Sequence, residues 1–275
     1  MTKPIAPPPP IPRLRAPIWG RYRAASPQGA ALKLAGLALA FAPLTAALSA
    51  GFIPAKTLAD LPAAFAIIAI CVTLFAAAAT IAALAARRIY PHPRLGLCNT
   101  VTLFRAALIA ALIAPLIVAG PPPDRAAWAI TLIAALALAL DGVDGWAARR
   151  SGLASNFGAR FDMEVDAAFG LILSLLVWDS GKIGAWVIAL GTMRYVFVAA
   201  SWALPWLTAP LPARFSRKLV CVVQIGALIA LIAPPVTGAP AVTLAIAATL
   251  ALAWSFAVDT IWLAKNARKP DANRR

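Results

Sequence analysis

Eight apolar runs, each close to the length of a bilayer-spanning helix, govern what this chain can fold into. They cover residues 34–53, 61–86, 101–119, 126–140, 161–178, 183–205, 219–235 and 241–263. A spanning helix needs about 20 such residues, and in hydrocarbon every backbone N–H and C=O must find its partner within the segment. The fourth run reaches that length only when it is extended through Asp141 and Asp144 to Arg149. Ala and Leu dominate the runs and short alternating segments are missing, so the spans are helices and not barrel strands. A hydrophobic content of 62% with mean hydropathy +0.82 excludes an ordinary soluble domain. The expected fold is an all-α integral membrane protein with eight spans.

Charge orients the bundle. With eight spans both termini share a side, and that side collects Arg87, Arg88, Arg94, Arg149, Arg150, Arg160, Arg214, Arg217, Lys218 and both basic tails. The opposite loops hold only Lys56, Arg125 and Lys182. An excess of Lys and Arg marks the cytoplasmic face, so a multi-pass protein of the cell (inner) membrane with both termini in the cytoplasm is expected. Orientation and anionic headgroups explain the net charge of +15, and nucleic acid is not expected as a partner. Residues 1–30, Pro-rich and basic, read as a disordered tail, and 265–275 as a second basic tail. The segment Arg87–Pro93 breaks the first two spans from the remaining six and is expected to lead into a short interfacial helix. Trp19, Trp178 and Trp206 lie near span ends and read as interfacial anchors. Three scattered cysteines (Cys71, Cys98, Cys221) and a single histidine, His92, exclude a disulfide framework and a His-rich metal centre.

Four carboxylates interrupt the hydrocarbon. Asp141 and Asp144 are three apart and Asp162 and Asp166 four apart, so each pair shares one helical face. Asp141 lies about 12 Å inside Arg149 and Asp166 about 9 Å inside Arg160, at about 1.5 Å per residue. A short polar turn with Gly152, Ser155 and Asn156 joins the two helices, which predicts antiparallel neighbours with all four acids at similar depth. Intramembrane acids are functional by default. Four anions so close repel one another unless a cation neutralises them, and hard oxygen ligands suit Mg²⁺ or Mn²⁺. Gly145, Ala148 and Gly158 are small residues of the same stretch, read either as room for a ligand or as plain helix contacts.

The stretch from Asp141 to Asp166 resembles the CDP-alcohol phosphotransferase family. That family's motif, D-x-x-D-G-x-x-A-R, eight residues, then G-x-x-x-D-x-x-x-D, is matched by Asp141, Asp144, Gly145, Ala148, Arg149, Gly158, Asp162 and Asp166 without a spacing error. The resemblance implies a six-helix catalytic core over residues 91–264 and leaves 31–90 as two extra N-terminal spans. It implies a two-metal centre held by Asp141, Asp144 and Asp162, with Asp166 close enough to coordinate and acting as general base. It also implies that Gly145 and Ala148 leave room for the cytidine and that Arg149 pairs with a phosphate. The reaction would move a phosphatidyl group from CDP-diacylglycerol to an alcohol with release of CMP. Homodimers are common in the family.

Two further segments extend the resemblance. CNTVTLFR looks like the family's first core helix, and Asn99, Thr102 and Arg105 share one broad face at the depth of the acids. They read as donor contacts; the plain alternative is a cap at Asn99 or Thr100 with Arg105 pairing one aspartate. RFSRKLVCVVQ matches the family's later segment at Lys218 and Gln224, but Cys221 replaces a threonine and Arg217 a glycine. Arg214, Arg217 and Lys218 suit a phosphorylated acceptor such as glycerol phosphate or inositol phosphate, or else simply anchor the cytoplasmic face. Arg194, inside the sixth span, needs a partner, for which Glu164 and an acceptor phosphate are candidates. Two other classes also cluster acids in membranes. A UbiA-type prenyltransferase spaces its aspartates differently and lacks the DGxxAR signature. A divalent-cation transporter would place its ligands nearer the midplane on interrupted helices.

Overall fold

The computed structural model describes residues 28–92, 94–118, 120–151, 153, 155–209, 211–212 and 214–267, and the side chains of 143–151 are outside that description. The described residues are all helical or connecting, without a strand. Ten α-helices run in order: α1 (Gln28–Gly51), α2 (Ala55–Ala59), α3 (Leu61–Ile89), α4 (Leu97–Ala111), α5 (Ala114–Ile117), α6 (Asp124–Ser151), α7 (Asn156–Asp179), α8 (Ile188–Ala203), α9 (Phe215–Ile232) and α10 (Gly238–Ala267). The tail expected to extend to residue 30 therefore gives way to helix at Gln28, and α10 continues three residues into the expected C-terminal tail, to Ala267.

Among the described residues, seven segments are long and apolar enough to cross a membrane: Gln28–Gly51, Leu61–Ile89, Leu97–Ile117, Asp124–Gly142, Ala185–Ala203, Phe215–Ile232 and Gly238–Ala267. The chain is a multi-pass membrane protein. Of the eight expected spans, α7 is the one outside this set; Arg160, Asp162, Glu164 and Asp166 crowd its first half. Large apolar side chains point outward along the bundle, with Trp202 and Phe215 each 82% exposed. In a soluble protein such a surface would aggregate; against lipid tails it carries no penalty.

Proline shapes the elements. The third expected span breaks into α4 and α5 because Pro115 has no N–H to give and its ring crowds the carbonyl four residues back, at Ala111, where α4 ends. α8 stops at Ala203, since Leu204 precedes Pro205 and that position disfavours helix. The expected interfacial helix after Arg87 is not formed. Tyr90 ends α3, donates its hydroxyl to Arg94 O at 3.0 Å and accepts from Gly96 N–H at 3.0 Å, folding the connector into a compact turn before α4. Burial pushes the Tyr90 phenol pKa above its usual value.

The main core joins α4 with α6 to α10 through Leu108, Ile130, Phe169, Leu173, Leu228 and Leu252. α7 runs through its middle. Its crossing with α8 is very close: a Cβ on Gly191 would stand 2.5 Å from Leu171 Cα and 2.7 Å from Gly170 O. Lys182, in the turn after α7, donates its ammonium to the last carbonyls of α9, at Leu231 (3.1 Å), Ile232 (3.2 Å) and Ala233 (2.7 Å). It closes a helix end that would otherwise leave these acceptors unpaired. A second core joins α1 and α3 to α4 and the start of α7 through Leu34, Phe75, Leu103 and Phe157. Thr45 of α1 is fully buried and donates to Ala107 O of α4 at 3.2 Å. The two N-terminal helices are thus packed against the helix that carries Arg105.

Candidate active site

Three helices bring the site together at one end of the bundle. α4 supplies Arg105, α6 supplies Asp141, and α7 supplies Asp162 and Asp166. α7 starts where Ser155 accepts a hydrogen bond from Gly158 N–H at 3.1 Å, a capped beginning that fixes the register of both acids. α6 and α7 both pack against α4 and α9, and their acids meet beside Arg105 of α4.

Arg105 is fully buried and is the hub. Its Nε–H donates to Ala137 O at 3.0 Å. Its Nη1 donates to Asp162 Oδ1 at 2.7 Å and pairs with Asp141 Oδ1 at 2.9 Å. Its Nη2 donates to Asp166 Oδ1 at 2.5 Å. A planar guanidinium fork suits this many oxygen partners in a way an ammonium would not. The sequence alternative of a structural partner for one aspartate understates the geometry, since Arg105 serves three.

The three carboxylates each offer an oxygen within 4.8 Å of the other two. Their side chains are 14%, 34% and 38% exposed for Asp141, Asp162 and Asp166, so the cluster has an open side. Three carboxylates against one guanidinium leave a local excess of negative charge in a region of low dielectric. Converging hard oxygens with surplus charge fit Mg²⁺ or Mn²⁺. Asp144, the fourth expected ligand, and Gly145, Ala148 and Arg149 have side chains outside the described residues; α6 itself continues through them.

The expected donor residues on α4 are also gathered. Asn99 and Thr102 are buried beside Arg105. The cap alternative at Asn99 or Thr100 does not hold: α4 begins at Leu97 with Gly96 as its N-cap and no side-chain cap bond. Asn99 Nδ2 is buried, with the Tyr90 hydroxyl as its hydrogen-bonding neighbour. Gly158 does more than open α7. A Cβ there would stand 2.8 Å from Asn99 Oδ1, so a larger residue would push the Asn99 side chain out of its present position.

The basic residues expected near the acceptor fall into two groups. Arg194 on α8 pairs with Glu164 on α7, one of its two candidate partners, while its Nε is buried and unpaired among the described residues. Arg217 donates to both oxygens of Asp259, at 2.7 and 3.0 Å, and Arg214 reaches Asp259 Oδ1 at 3.4 Å. Lys218 is exposed and makes no ion pair among the described residues. Cys221, where the family has threonine, lies within electrostatic reach of Asp166 and Asp141 as well as Arg217 and Arg194. Asp259 is a residue that sequence reasoning passed over. Its signal was plain: among residues 241–263 it is the single acid in an apolar run.

Comparison with known proteins follows the same lines. No curated protein and no solved structure was found to match the chain. A sequence model of CDP-alcohol phosphatidyltransferases matches residues 95–259, more than half of the 275, beginning just before α4 and ending on Asp259. The matched stretch holds every residue placed above in the charge clusters and leaves α1 and α3 outside. The chain belongs to the CDP-alcohol phosphatidyltransferase family, metal-dependent enzymes of phospholipid synthesis.

Proposed function

We propose that the enzyme moves a phosphatidyl group from CDP-diacylglycerol to a phosphorylated alcohol such as glycerol 3-phosphate or an inositol phosphate. The observation that carries this reading is the convergence of Asp141, Asp162 and Asp166 on one oxygen-lined centre around Arg105. In the proposed step the acceptor hydroxyl oxygen bonds to the lipid-bearing phosphorus, the bond from that phosphorus to CMP breaks, and the hydroxyl proton passes to Asp166. Asp166 uses Oδ1 for Arg105, which leaves Oδ2 to take the proton. Two divalent ions, held by Asp141, Asp144, Asp162 and Asp166, would supply charge neutralisation for the diphosphate and the leaving CMP. Asn99, Thr102, Arg105 and Arg149 would hold the donor phosphates and nucleotide, with Gly145, Ala148 and Gly158 leaving room. Arg194, Arg214, Arg217 and Lys218 would take the acceptor phosphate. Support for a phosphorylated acceptor comes from charge: two arginines share the single Asp259, and Lys218 and Arg194 Nε add donors.

The same reading makes α7 an eighth span, with its charged half facing protein, both termini cytoplasmic, and the site open to the cytoplasm of the inner membrane. Positive charge on the connecting segments supports this side. A homodimer completes the proposal on the family resemblance alone; light scattering in detergent reads it directly. The family match displaces a prenyltransferase or transporter reading.

The test is CMP release from CDP-diacylglycerol with Mn²⁺ across a panel of alcohols. Turnover with a phosphorylated alcohol and little with serine or free inositol is expected. Turnover confined to an unphosphorylated alcohol would remove the acceptor assignment, and metal flux in proteoliposomes without CMP release would remove the enzymatic one.

A further inference from the structure

A second ligand site lies outside the charge clusters, where the extra helix α3 leans on the catalytic core. α3, α4 and α7 enclose a cleft of about 490 Å³. That volume is in the range of small-ligand sites. On α3 the lining runs from Leu74 to Ile89, and on α7 from Ile172 back to Phe157. Tyr90 meets Phe157 ring to ring at 5.6 Å, which shows that Ile89 and Phe157 mark the same end. Fifteen residues separate Leu74 from Ile89, about 22 Å of helix. Half the hydrocarbon core of a bilayer is about 15 Å, so the cleft is longer than one leaflet is deep and can take an acyl chain over its full length.

Polarity within the cleft is confined to one end. Its charged lining residues are Arg160 and Glu164, one turn apart near the start of α7. Glu164 is neutralised by Arg194. Arg160 is exposed and makes no ion pair among the described residues, and Arg88 adjoins Ile89 at the same end. The rest of the lining is alanine, isoleucine, leucine, valine and phenylalanine. A hydrocarbon chain capped by an anion matches this layout. The donor's reaction centre is separate: the lining residues of α4 are Ala106, Ile109 and Ala110, and neither Arg105, Asp162 nor Asp166 borders the cleft.

We infer that this cleft holds a resident anionic glycerophospholipid, one acyl chain between α3 and the α4–α7 pair and its phosphate on Arg160. One of the two N-terminal spans thereby acquires a role. α3 provides the wall that turns the outer side of α4 and α7 into a binding site. The preference for an anionic headgroup comes from its net charge beside Arg160, since phosphatidylcholine offers the same phosphate but carries a quaternary ammonium that offsets it; the apolar walls select only for a chain.

Native mass spectrometry of the full chain tests this. Protein released from nanodiscs of equal phosphatidylglycerol and phosphatidylcholine is expected to retain one phospholipid. A preference of about fivefold for phosphatidylglycerol is expected, the size of one arginine at headgroup depth. Arg160→Gln should keep the lipid and lose the preference. Ala78→Trp, which fills the cleft from an exposed position on α3, should lose the lipid, as should Ala168→Phe from the opposite wall. A wild-type protein that retains no lipid overturns the inference, as does an unchanged preference in Arg160→Gln. Full retention in both cleft-filling variants overturns it too. Because the readout is bound lipid and not turnover, failure here leaves the catalytic proposal standing, and loss of CMP release leaves this one standing.

Discussion

Two ion clusters lie within these helices, and they differ in which charge is in surplus. At the α4–α6–α7 junction three carboxylates share Arg105. At the α9–α10 junction two arginines share Asp259. Burying a balanced pair costs desolvation and returns it through Coulomb attraction, so a balanced pair by itself says little about function. Surplus is different. A site with extra negative charge can be completed only by cations, and a site with extra positive charge only by anions. The surplus suits the first cluster to cations and the second to anions, which is the division the proposed function uses. Glu164 with Arg194 is the one-to-one case between them, and it is the most exposed of the three.

Four changes break or sharpen that contrast. Asp166→Asn removes the proposed base and should lower kcat by about 10²–10⁴ while leaving donor binding largely in place. Donor titration beside turnover reads both, and wild-type turnover would refute the assignment. Arg105→Gln leaves three acids without their counter-charge and should destabilise the protein by about 3–5 kcal/mol, since uncompensated buried charge is severe. Mn²⁺ should then raise the melting temperature of the variant more than that of wild type, because the metal replaces the missing cation. Equal shifts would mean that the acids do not take metal. Asp259→Asn leaves two half-exposed arginines with a neutral partner and should cost about 1–3 kcal/mol by thermal unfolding. It should change acceptor KM more than kcat; a loss as large as that of Asp166→Asn would erase the distinction between the clusters. Thr45→Val removes the bond to Ala107 O and should cost about 0.6 kcal/mol, the usual size of an interhelical bond in a membrane. A much larger loss would make α1 an essential brace for α4.

The acid cluster was legible in the sequence because helical period turns spacing into geometry. Residues three and four apart share a face, so each helix presents its acids together, and α4, against which both α6 and α7 pack, brings Asp141 to Asp162 and Asp166 through Arg105. The Asp259 cluster was not legible in that way. Arg217 and Asp259 are 42 positions apart on helices whose relative rotation depends on packing. The same holds for Lys182, which caps a helix about 50 residues downstream. The docking of α1 and α3 was hidden for another reason. Their alanine-rich faces are alike all round, so sequence shows that they span and not which side meets α4. The break at Pro115 was written in the sequence, but hydropathy runs through it unchanged. α7 shows the converse: function loads its first half with charge, so hydropathy alone understates it.

Electron paramagnetic resonance of Mn²⁺ bound to the purified enzyme tests the central claim most directly. Wild type should bind Mn²⁺ tightly, and Asp162→Asn, which removes an acid from α7 while Asp141 remains on α6, should weaken that binding by tenfold or more, about 1.4 kcal/mol. Equal Mn²⁺ affinity in wild type and Asp162→Asn would contradict the account, because acids from both helices would then not share the ion.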